Sequence, residues 1–340
     1  MSAVVLNDIF EGKSVLITGG TGSFGNYFTE YLLKHHRPKR IVIFSRDEYK
    51  QFLMKNKFKE HESVLRFFVG DVRDKDRLMR AFSGVDYVVH AAAMKQVPAC
   101  EYNPIEAIKT NINGAANVID AAIERGVERV VALSTDKAVN PINLYGGTKL
   151  VSDKLFVAAN SYVALGKTRF SVVRYGNVAG SRGSVIPFFA DQVKQGVERL
   201  PVTDKRMTRF WIHLETGVEL VLHALETANG GEVFISKIPS FKIIDLAEAM
   251  NPGHPYDEVG IREGEKLHEI MITAEDSRRT YEYDKYFVIY PELEWFRKYG
   301  RIIPGGKLVE PGFEYSSDKN AKWLSAEQLR SLVSKLDYLH

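Results

Sequence analysis

The stretch SVLITGGTGSFG, residues 14–25, decides the fold. Its first five residues form a short apolar run rich in β-branched side chains, which predicts a buried strand. The glycines Gly20, Gly22 and Gly25 satisfy the spacing G-x-G-x-x-G, and Asn26–His35 then carries apolar residues at helical spacing. A strand, a glycine-rich turn and a helix in this order predict a Rossmann-type unit, whose turn and helix N-terminus hold a pyrophosphate group.

Strand and helix patterns alternate from this stretch as far as Arg174. Further buried strands are predicted at Ile41–Phe44, Val64–Val69, Val85–His90, Val130–Leu133 and Phe170–Arg174. Helices are predicted at Asp74–Phe82, Ile105–Gly126 and Gly147–Ala159. This alternation predicts an α/β fold with a Rossmann-type doubly wound parallel sheet, covered by helices on both faces.

The pattern of the second half of the chain is less regular. We therefore expect a dinucleotide-binding Rossmann domain over residues 1–177 and a smaller C-terminal α/β substrate domain over residues 178–340. Glu232–Ile235 has the pattern of a strand. We expect such segments of the second domain to return to the main sheet.

Size and composition restrict the class of protein. A chain of 340 residues with 45% hydrophobic residues suits one large domain with a smaller companion. A charged fraction of 26% and a net charge of +3 favour neither a nucleic-acid-binding protein nor a disordered chain. The single cysteine, Cys100, and the lack of a signal-peptide pattern or a long apolar run predict a cytoplasmic protein without a membrane partner. The nine histidines show no metal-ligand spacing, so we predict no metal site.

The end of the second predicted strand indicates the cofactor. Proteins that bind NAD place an acidic residue about 20 positions after the glycines, where it binds the ribose 2′-hydroxyl. Ser45 and Arg46 occupy this place, and a hydroxyl beside a guanidinium suits a 2′-phosphate. We therefore predict NADP, with the alternative that Arg46 is a surface residue and Asp47 or Glu48 binds the ribose.

After the third strand, Asp71 can bind the adenine amino group, cap the next helix, or do both.

Two further segments carry candidate catalytic groups. Tyr145 and Lys149 lie four residues apart and share one face of a helix. A cation beside the phenol lowers its pKa, so that the tyrosinate can act as a base near neutral pH. Thr135, at the end of the fifth predicted strand, can hydrogen-bond the same substrate oxygen. Asp136 and Lys137 follow directly, and by themselves they suggest only a structural ion pair at a strand end.

These segments, together with others, resemble one known family. The chain is similar to the extended short-chain dehydrogenases/reductases and, more narrowly, to the soluble inverting UDP-N-acetylglucosamine 4,6-dehydratases, the first enzymes of bacterial pseudaminic acid synthesis. The similarity covers nearly all of the chain. It rests on ITGGTGSFG, SRDEYKQ, GDVRDKDRL, HAAAMKQVPACEYNP, ALSTDKAVNPINLYGGTK, RYGNVAGSRGSVIPFF, MTRFW, GIREGEKLHE and FEYSS.

The resemblance implies a dehydration in which NADP begins and ends in its oxidised form. The sugar is oxidised at C4, water is eliminated across C5 and C6, and a hydride returns to C6. The family pattern assigns Tyr145 to the O4 proton, Lys137 to removal of the C5 proton and Asp136 to protonation of the departing C6 hydroxyl. Reprotonation of C5 from the opposite face then inverts its configuration, and the sequence assigns no residue to this last step.

The resemblance also implies the residues that contact both ligands. Cofactor contacts are predicted at Gly19, Thr21, Gly22, Ser23, Phe24, Gly25, Ser45, Arg46, Lys50, Asp71, Val72, Ala91, Lys95, Asn111, Tyr145 and Lys149. Substrate contacts are predicted at Lys95, Asn177, Arg182, Ser184, Arg209, Arg262 and Glu265. Each charged side chain, taken alone, has the alternative of being a solvated surface group.

Two other functions share parts of this pattern. A nucleotide-sugar C4 or C5 epimerase uses the same cofactor site, tyrosine and lysine but releases no water, and the Asp136–Lys137 pair favours the dehydratase. A non-catalytic NADP-binding scaffold is expected to lack Tyr145 or Lys149, and both are present.

We expect a homo-oligomer, either a dimer or a hexamer, because extended members of the superfamily associate through their two long helices. An aminotransferase is expected to act next in the pathway.

Overall fold

The predicted alternation of strands and helices is present in the structure, a computed structural model that describes residues 8–164, 167–180, 184–292 and 303–336. The strands are β1 (Ser14–Thr18), β2 (Arg40–Ser45), β3 (Leu65–Val69), β4 (Tyr87–His90), β5 (Arg129–Thr135), β6 (Arg169–Tyr175), β7 (Leu200–Val202), β8 (Thr208–Phe210), β9 (Val233–Ser236), β10 (Ser240–Lys242), β11 (Tyr256–Glu258), β12 (Ile270–Ile272), β13 (Thr280–Glu282), β14 (Tyr286–Ile289), β15 (Lys307–Leu308) and β16 (Tyr315–Ser316).

The helices follow these strands along the chain, and the last helix comes after the last strand. They are α1 (Ser23–His35), α2 (Glu48–Lys57), α3 (Lys75–Ala81), α4 (Val97–Tyr102), α5 (Pro104–Ile108), α6 (Gly114–Arg125), α7 (Leu144–Ala159), α8 (Val185–Lys194), α9 (Leu214–Thr227), α10 (Ile243–Met250) and α11 (Ala326–Val333). Within the described ranges, no helix has both the length and the apolar character that crossing a membrane demands.

The main sheet is a doubly wound parallel sheet with an antiparallel edge. Within the described ranges it has ten strands, in the order β15-β13-β14-β9-β6-β5-β4-β1-β2-β3. The strands from β9 to β3 in this order run parallel to one another, whereas β14, β13 and β15 are antiparallel additions. The order β3-β2-β1-β4-β5-β6 is that of a Rossmann fold. The predicted fold class is therefore confirmed.

Helices cover both faces of this sheet. On one face, Leu78 of α3, Val118 of α6 and Phe156 of α7 are fully buried in one apolar cluster. On the other face, Phe28 of α1 and Val221 of α9 belong to a second cluster. Successive residues of β1 alternate between the two clusters, because side chains of a strand point to opposite faces.

The helix predicted over Ile105–Gly126 is interrupted. A π-helical turn at Lys109–Asn113 separates α5 from α6. Within this turn, the Asn111 Oδ1 atom accepts a hydrogen bond from the Met94 backbone N–H at 2.8 Å, and its Nδ2 atom donates to the Met94 carbonyl oxygen at 2.9 Å. Tertiary contact thus accompanies the change of helical period, as is common for π-turns near functional sites. The end of α6 is as predicted, since Gly126 adopts the left-handed conformation with φ of +67°.

The second half of the chain contributes to the main sheet and to a separate apolar cluster. The strand predicted at Glu232–Ile235 is β9, which pairs in parallel with β6. Phe189 of α8, Leu246 of α10 and Leu329 of α11 pack together in a third cluster. The domain boundary at Asn177 stays a prediction.

Phe156 allows a test of the packing that holds α7 against the sheet. Its ring centroid lies 5.5 Å from that of His90 and 6.2 Å from that of Phe170. Replacing Phe156 with Ala leaves a cavity, so we expect the free energy of unfolding to fall by about 3–5 kcal/mol. Urea-induced unfolding followed by circular dichroism measures the change. Phe156→Leu fills most of the cavity and is expected to lose much less, and an unchanged free energy in Phe156→Ala would contradict this account.

Candidate active site

In the glycine-rich turn after β1, the absence of side chains lets a ligand approach the backbone closely. Gly19 has a left-handed backbone with φ of +66°, and a Cβ atom there would lie 2.9 Å from the Ala92 Cα atom. A Cβ atom on Gly25 would collide with the carbonyl oxygen of Gly20. No described side chain caps the start of α1 at Gly22, so the first N–H groups of this helix are open toward an anion. These residues therefore fit the pyrophosphate of a dinucleotide.

A cleft of about 1040 Å³ runs from this turn across the carboxyl ends of the parallel strands to the loop at residues 262–269. Ligands of open α/β sheets bind at this edge. The predicted residues that line the cleft are Gly19, Thr21, Gly22, Ser23, Phe24, Gly25, Ser45, Arg46, Lys50, Asp71, Val72, Ala91, Lys95, Thr135, Lys137, Tyr145, Lys149, Asn177, Ser184, Arg209, Arg262 and Glu265. Asp136 and Asn111 lie outside this lining, and Arg182 lies outside the described residues.

The end of β2 presents a cation to the cleft. The side chain of Arg46 is 63% exposed, and its Nη1 atom lies 3.8 Å from the Asp71 Oδ2 atom. Asp47 instead caps α2, because its Oδ1 atom accepts a hydrogen bond from the Lys50 backbone N–H at 2.9 Å. Its Oδ2 atom also lies 3.0 Å from the Lys50 Nζ atom. The Asp47 carboxylate is thus already engaged at the start of α2, whereas the Arg46 guanidinium is exposed beside the cleft.

Asp71 does not cap the helix that follows it. The cap of α3 is Asp74, whose Oδ1 atom accepts a hydrogen bond from the Arg77 backbone N–H at 2.9 Å. Asp71 instead accepts hydrogen bonds from the Arg73 side chain, at 3.0 Å from Nε and 2.7 Å from Nη2. Burial raises the pKa of Asp71, but the hydrogen bonds and charge of Arg73 outweigh burial and lower it. The capping interpretation is therefore wrong, and contact with the adenine stays a prediction.

Asn111, predicted to contact the cofactor, supports the cleft from behind. Its side chain is 1% exposed. Besides its two bonds to Met94, its Nδ2 atom donates to the Thr148 Oγ1 atom of α7 at 2.9 Å. Asn111 therefore ties the loop after β4, which carries Lys95, to the helix that carries Tyr145.

Lys137 lies at the centre of a buried polar cluster. Its Nζ atom lies 3.1 Å from the Asp136 Oδ1 atom, 3.1 Å from the Asn177 Oδ1 atom and 3.1 Å from the Glu269 Oε1 atom. Asp136 and Asn177 meet because they follow the ends of the neighbouring parallel strands β5 and β6. Glu269 reaches the same point from the segment that precedes β12.

Burial and charge together set the protonation states in this cluster. Burial raises the pKa of Asp136, and the negative charge of Glu269 raises it further. Burial alone would lower the pKa of Lys137, but the charges of Asp136 and Glu269 raise it above its ordinary range. Burial would also raise the pKa of Glu269, but the charges of Lys137 and Arg209 hold it below its usual value. The cluster therefore combines an ammonium, an ionised Glu269 and an Asp136 carboxyl that accepts a proton more readily than usual.

Tyr145 and Lys149 share one face of α7, as the spacing predicted. Burial raises the pKa of Tyr145 to about 12, although the charge of Lys137 and a hydrogen bond with Thr135 act to lower it. The Lys149 Nζ atom donates to the Leu133 carbonyl oxygen at 2.8 Å, and burial lowers its own pKa. The expected lowering of the phenol pKa by Lys149 is therefore not seen. The cation that acts to lower the Tyr145 pKa, against the effect of burial, is Lys137.

Sequence reasoning missed several residues that line the cleft. Glu269 lies in GIREGEKLHE, from which only Arg262 and Glu265 were predicted as contacts. Lys266 of the same segment and Asn143, the N-cap of α7, also line the cleft. The capping pattern of Asn143 was available in the sequence. The sequence around Glu269 has no pattern that distinguishes this residue from a solvated carboxylate.

Within the described ranges, no group of His, Cys, Asp and Glu side chains is arranged to hold a metal ion.

Comparison with known proteins assigns the chain to a family. The model of the family described as polysaccharide biosynthesis protein matches residues 15–291. The chain belongs to the polysaccharide biosynthesis protein family. One relative, the UDP-N-acetylglucosamine 4,6-dehydratase (inverting) of Campylobacter jejuni strain 81-176, is 55% identical over 96% of this chain and 98% of its own. The resemblance expected from the sequence is thus confirmed.

Two further comparisons show the same similarity over nearly the whole chain. The UDP-glucose 4-epimerase of Rickettsia akari is 42% identical over 97% of this chain and 98% of its own. The X-ray structure of Pen from Bacillus thuringiensis is 39% identical, with a TM-score of 0.87 over 96% of this chain and 99% of that chain. The family fold therefore extends over nearly the whole chain.

His90 allows a test of the electrostatics beneath the cleft. Its Nδ1 atom lies 2.8 Å from the Thr18 Oγ1 atom, and burial, with the charge of Lys149, lowers its pKa from 6.5 to about 3. Between these values the folded protein keeps His90 neutral while the unfolded chain binds a proton. Stability is therefore lost as the pH falls below 6.5, by up to about 1.4 kcal/mol per pH unit.

His90→Gln is expected to remove this part of the acid sensitivity, because glutamine does not titrate. Urea-induced unfolding at a series of pH values between 6.5 and about 5 measures the slope of the unfolding free energy in both proteins. Equal slopes would show that burial of His90 does not contribute to acid destabilisation.

Proposed function

We propose that the protein is an NADP-dependent, inverting UDP-N-acetylglucosamine 4,6-dehydratase. The observation that carries this proposal is the buried Asp136–Lys137 pair at the cleft that Tyr145 lines. A simple dehydrogenase has no task for an acid–base pair at this place, whereas an elimination of water needs one group to accept a proton and another to donate one. The identity with the Campylobacter jejuni dehydratase supports the same substrate and outcome.

The cofactor would be held by the glycine-rich turn, the start of α1 and the end of β2. The close backbone approach at Gly19 and Gly25 suits a pyrophosphate, and Arg46 with Ser45 suits the 2′-phosphate of NADP. When bound, the nicotinamide dinucleotide supplies oxidation at C4 of the sugar and reduction at C6. The protein supplies the proton transfers and the binding of the diphosphate.

The chain's own residues divide the proton transfers among them. Tyr145 accepts the O4 proton, and Thr135 hydrogen-bonds both the phenol and the same substrate oxygen. Lys137 removes the C5 proton, which the 4-keto group has made acidic. Asp136, whose pKa is raised by burial, protonates the departing C6 hydroxyl. Lys149 donates a hydrogen bond to the Leu133 carbonyl oxygen, which fixes its side chain beneath the site.

Substrate binding would draw on groups at the far end of the cleft. Arg262 is 60% exposed and lies 4.0 Å from Glu265, so its guanidinium is accessible to a diphosphate. Arg209 is buried, and it donates to the carbonyl oxygens of Thr208 and Leu267. We therefore assign diphosphate binding chiefly to Arg262, with Asn177, Ser184 and Glu265 contacting the nucleoside or sugar.

The proposal extends to the place of the reaction in metabolism. We propose that the dehydration is the first step of pseudaminic acid synthesis, and that an aminotransferase acts next on the 4-keto-6-deoxy sugar it forms. We further propose that the enzyme acts as a homo-oligomer, a dimer or a hexamer.

A nucleotide-sugar 4-epimerase is the second candidate. The 42% identity with the Rickettsia akari UDP-glucose 4-epimerase favours it, and the same cofactor turn and Tyr145 would serve that reaction. The two candidates differ in one product, because only the dehydratase releases water.

Incubation with UDP-N-acetylglucosamine in deuterated water tests the proposed function. We expect a product that has lost one water and carries deuterium at C5, with the L-arabino configuration, read by mass spectrometry and NMR. Loss of water with retained configuration would contradict the inverting outcome alone. An epimerised product without loss of water would favour the epimerase and leave Asp136 and Lys137 as structural residues.

Arg46→Ala tests the cofactor. We expect the Kd for NADP to rise about tenfold to 100-fold, because a charge-assisted contact with the 2′-phosphate is lost, while the Kd for NAD stays nearly unchanged. Titration calorimetry measures both constants. Lys57→Ala removes another cation, which lies on α2 and pairs with Glu30 of α1, so this variant is the control and should change neither constant. An equal effect on both cofactors would contradict the assignment of Arg46 to the 2′-phosphate.

A further inference from the structure

Glu269 is a buried carboxylate at the reacting centre to which the proposed mechanism gives no task. It is 2% exposed, and its Oε1 atom lies 3.1 Å from the Lys137 Nζ atom and 3.8 Å from the Arg209 Nε atom. Its Oε2 atom is also buried and has no hydrogen-bond partner among the described residues. A buried acceptor without a partner costs stability, so hydrogen bonding within the fold does not account for this oxygen.

The groups around Glu269 keep it charged. Lys137 and Asp136 face it from the turn after β5, Arg209 faces it from β8, and Lys266 lies in the segment just before it. The charges of Lys137, Arg209 and Lys266 together outweigh the effect of burial on Glu269. The ionised form of Glu269 is therefore favoured, and it faces the Lys137 ammonium at 3.1 Å.

The proposed elimination changes the charge of Lys137. Lys137 must first be a neutral amine, which transfer of its proton to Asp136 along their 3.1 Å hydrogen bond provides. The C5–H bond then breaks, its proton passes to the Lys137 Nζ atom, and its electron pair forms the C5–C6 double bond. The C6–O bond breaks as the Asp136 proton joins the leaving oxygen, which departs as water. The step ends with an Asp136 carboxylate and a Lys137 ammonium, so protons and charges balance.

Positive charge thus develops on Lys137 during this step, at hydrogen-bonding distance from Glu269. Measured from the neutral amine, an interaction that grows with the charge of the transition state lowers the barrier to removal of the C5 proton, and it is strongest where water is excluded. We propose that Glu269 is a positioning residue, which orients Lys137 and stabilises the ammonium formed when Lys137 takes the C5 proton. The inference rests on the proposed function. Glu269 would act on Lys137 as the aspartate of a Ser-His-Asp triad acts on its histidine, which it orients and stabilises in the protonated form.

Glu269→Gln tests this role, because the amide keeps the shape and removes the charge. We expect kcat to fall on the order of 100-fold, with KM changed by less than about threefold. We also expect a larger isotope effect on kcat with substrate deuterated at C5, because removal of the C5 proton becomes rate-limiting. A structural role would not raise that isotope effect.

Two variants serve as controls. Glu275→Gln removes an exposed carboxylate six residues further along the chain and should match the wild type in kcat and isotope effect. Glu269→Asp keeps the charge and is expected to retain at least about tenfold more activity than Glu269→Gln. If Glu269→Gln fails to fold, a folded Glu269→Asp must stay within about tenfold of wild type, and a larger loss overturns the proposal.

The same assay separates this inference from the proposed function. If wild-type protein releases water while Glu269→Gln matches its kcat and isotope effect, the role of Glu269 alone is overturned. A raised KM with unchanged kcat would also overturn it, because Glu269 would then act in substrate binding. If wild-type protein releases no water, the proposed function fails and this inference fails with it.

Discussion

The attraction between the Lys137 ammonium and the two carboxylates beside it is the interaction on which the site depends. Asp136 and Glu269 both lie 3.1 Å from the Lys137 Nζ atom, in a region where all three are largely removed from water. Leaving any one of them without its partners would place an uncompensated charge in the protein, at a cost of several kcal/mol. The position and the protonation state of each group are therefore set by the whole cluster rather than by one residue.

The fold assembles this cluster from parts that are distant in the sequence. The parallel pairing of β5 with β6 places Asp136 beside Asn177 at the carboxyl edge of the sheet. Arg209 of β8 and Glu269 before β12 come from the second half of the chain. The Asp136–Lys137 pair and the Glu269 carboxylate beside it thus come from different halves of the chain, and the cluster is complete only when both halves pack together.

The sequence predicted the features that local physics determines and missed those that depend on tertiary contact. The strand–turn–helix stretch, the end of α6 at Gly126 and the shared face of Tyr145 and Lys149 follow from local spacing and backbone preference. Glu269 could not be predicted, because a carboxylate that pairs with a remote lysine has the same sequence pattern as a solvated one. The raised pKa of Tyr145 results from burial, which spacing does not report. The π-turn around Asn111 likewise follows contacts with a loop outside its helix.

The Asn111 side chain forms hydrogen bonds on two sides, and these bonds limit how the walls of the cleft can move relative to each other. By binding Met94 in the loop after β4 and Thr148 on α7, it joins two walls of the cleft into one body. Separating the loop from α7 would break these hydrogen bonds, so they favour a fixed spacing between Lys95 and Tyr145. Because folding fixes the loop after β4 and α7 relative to each other, Lys95 and Tyr145 do not have to be brought together when a ligand binds.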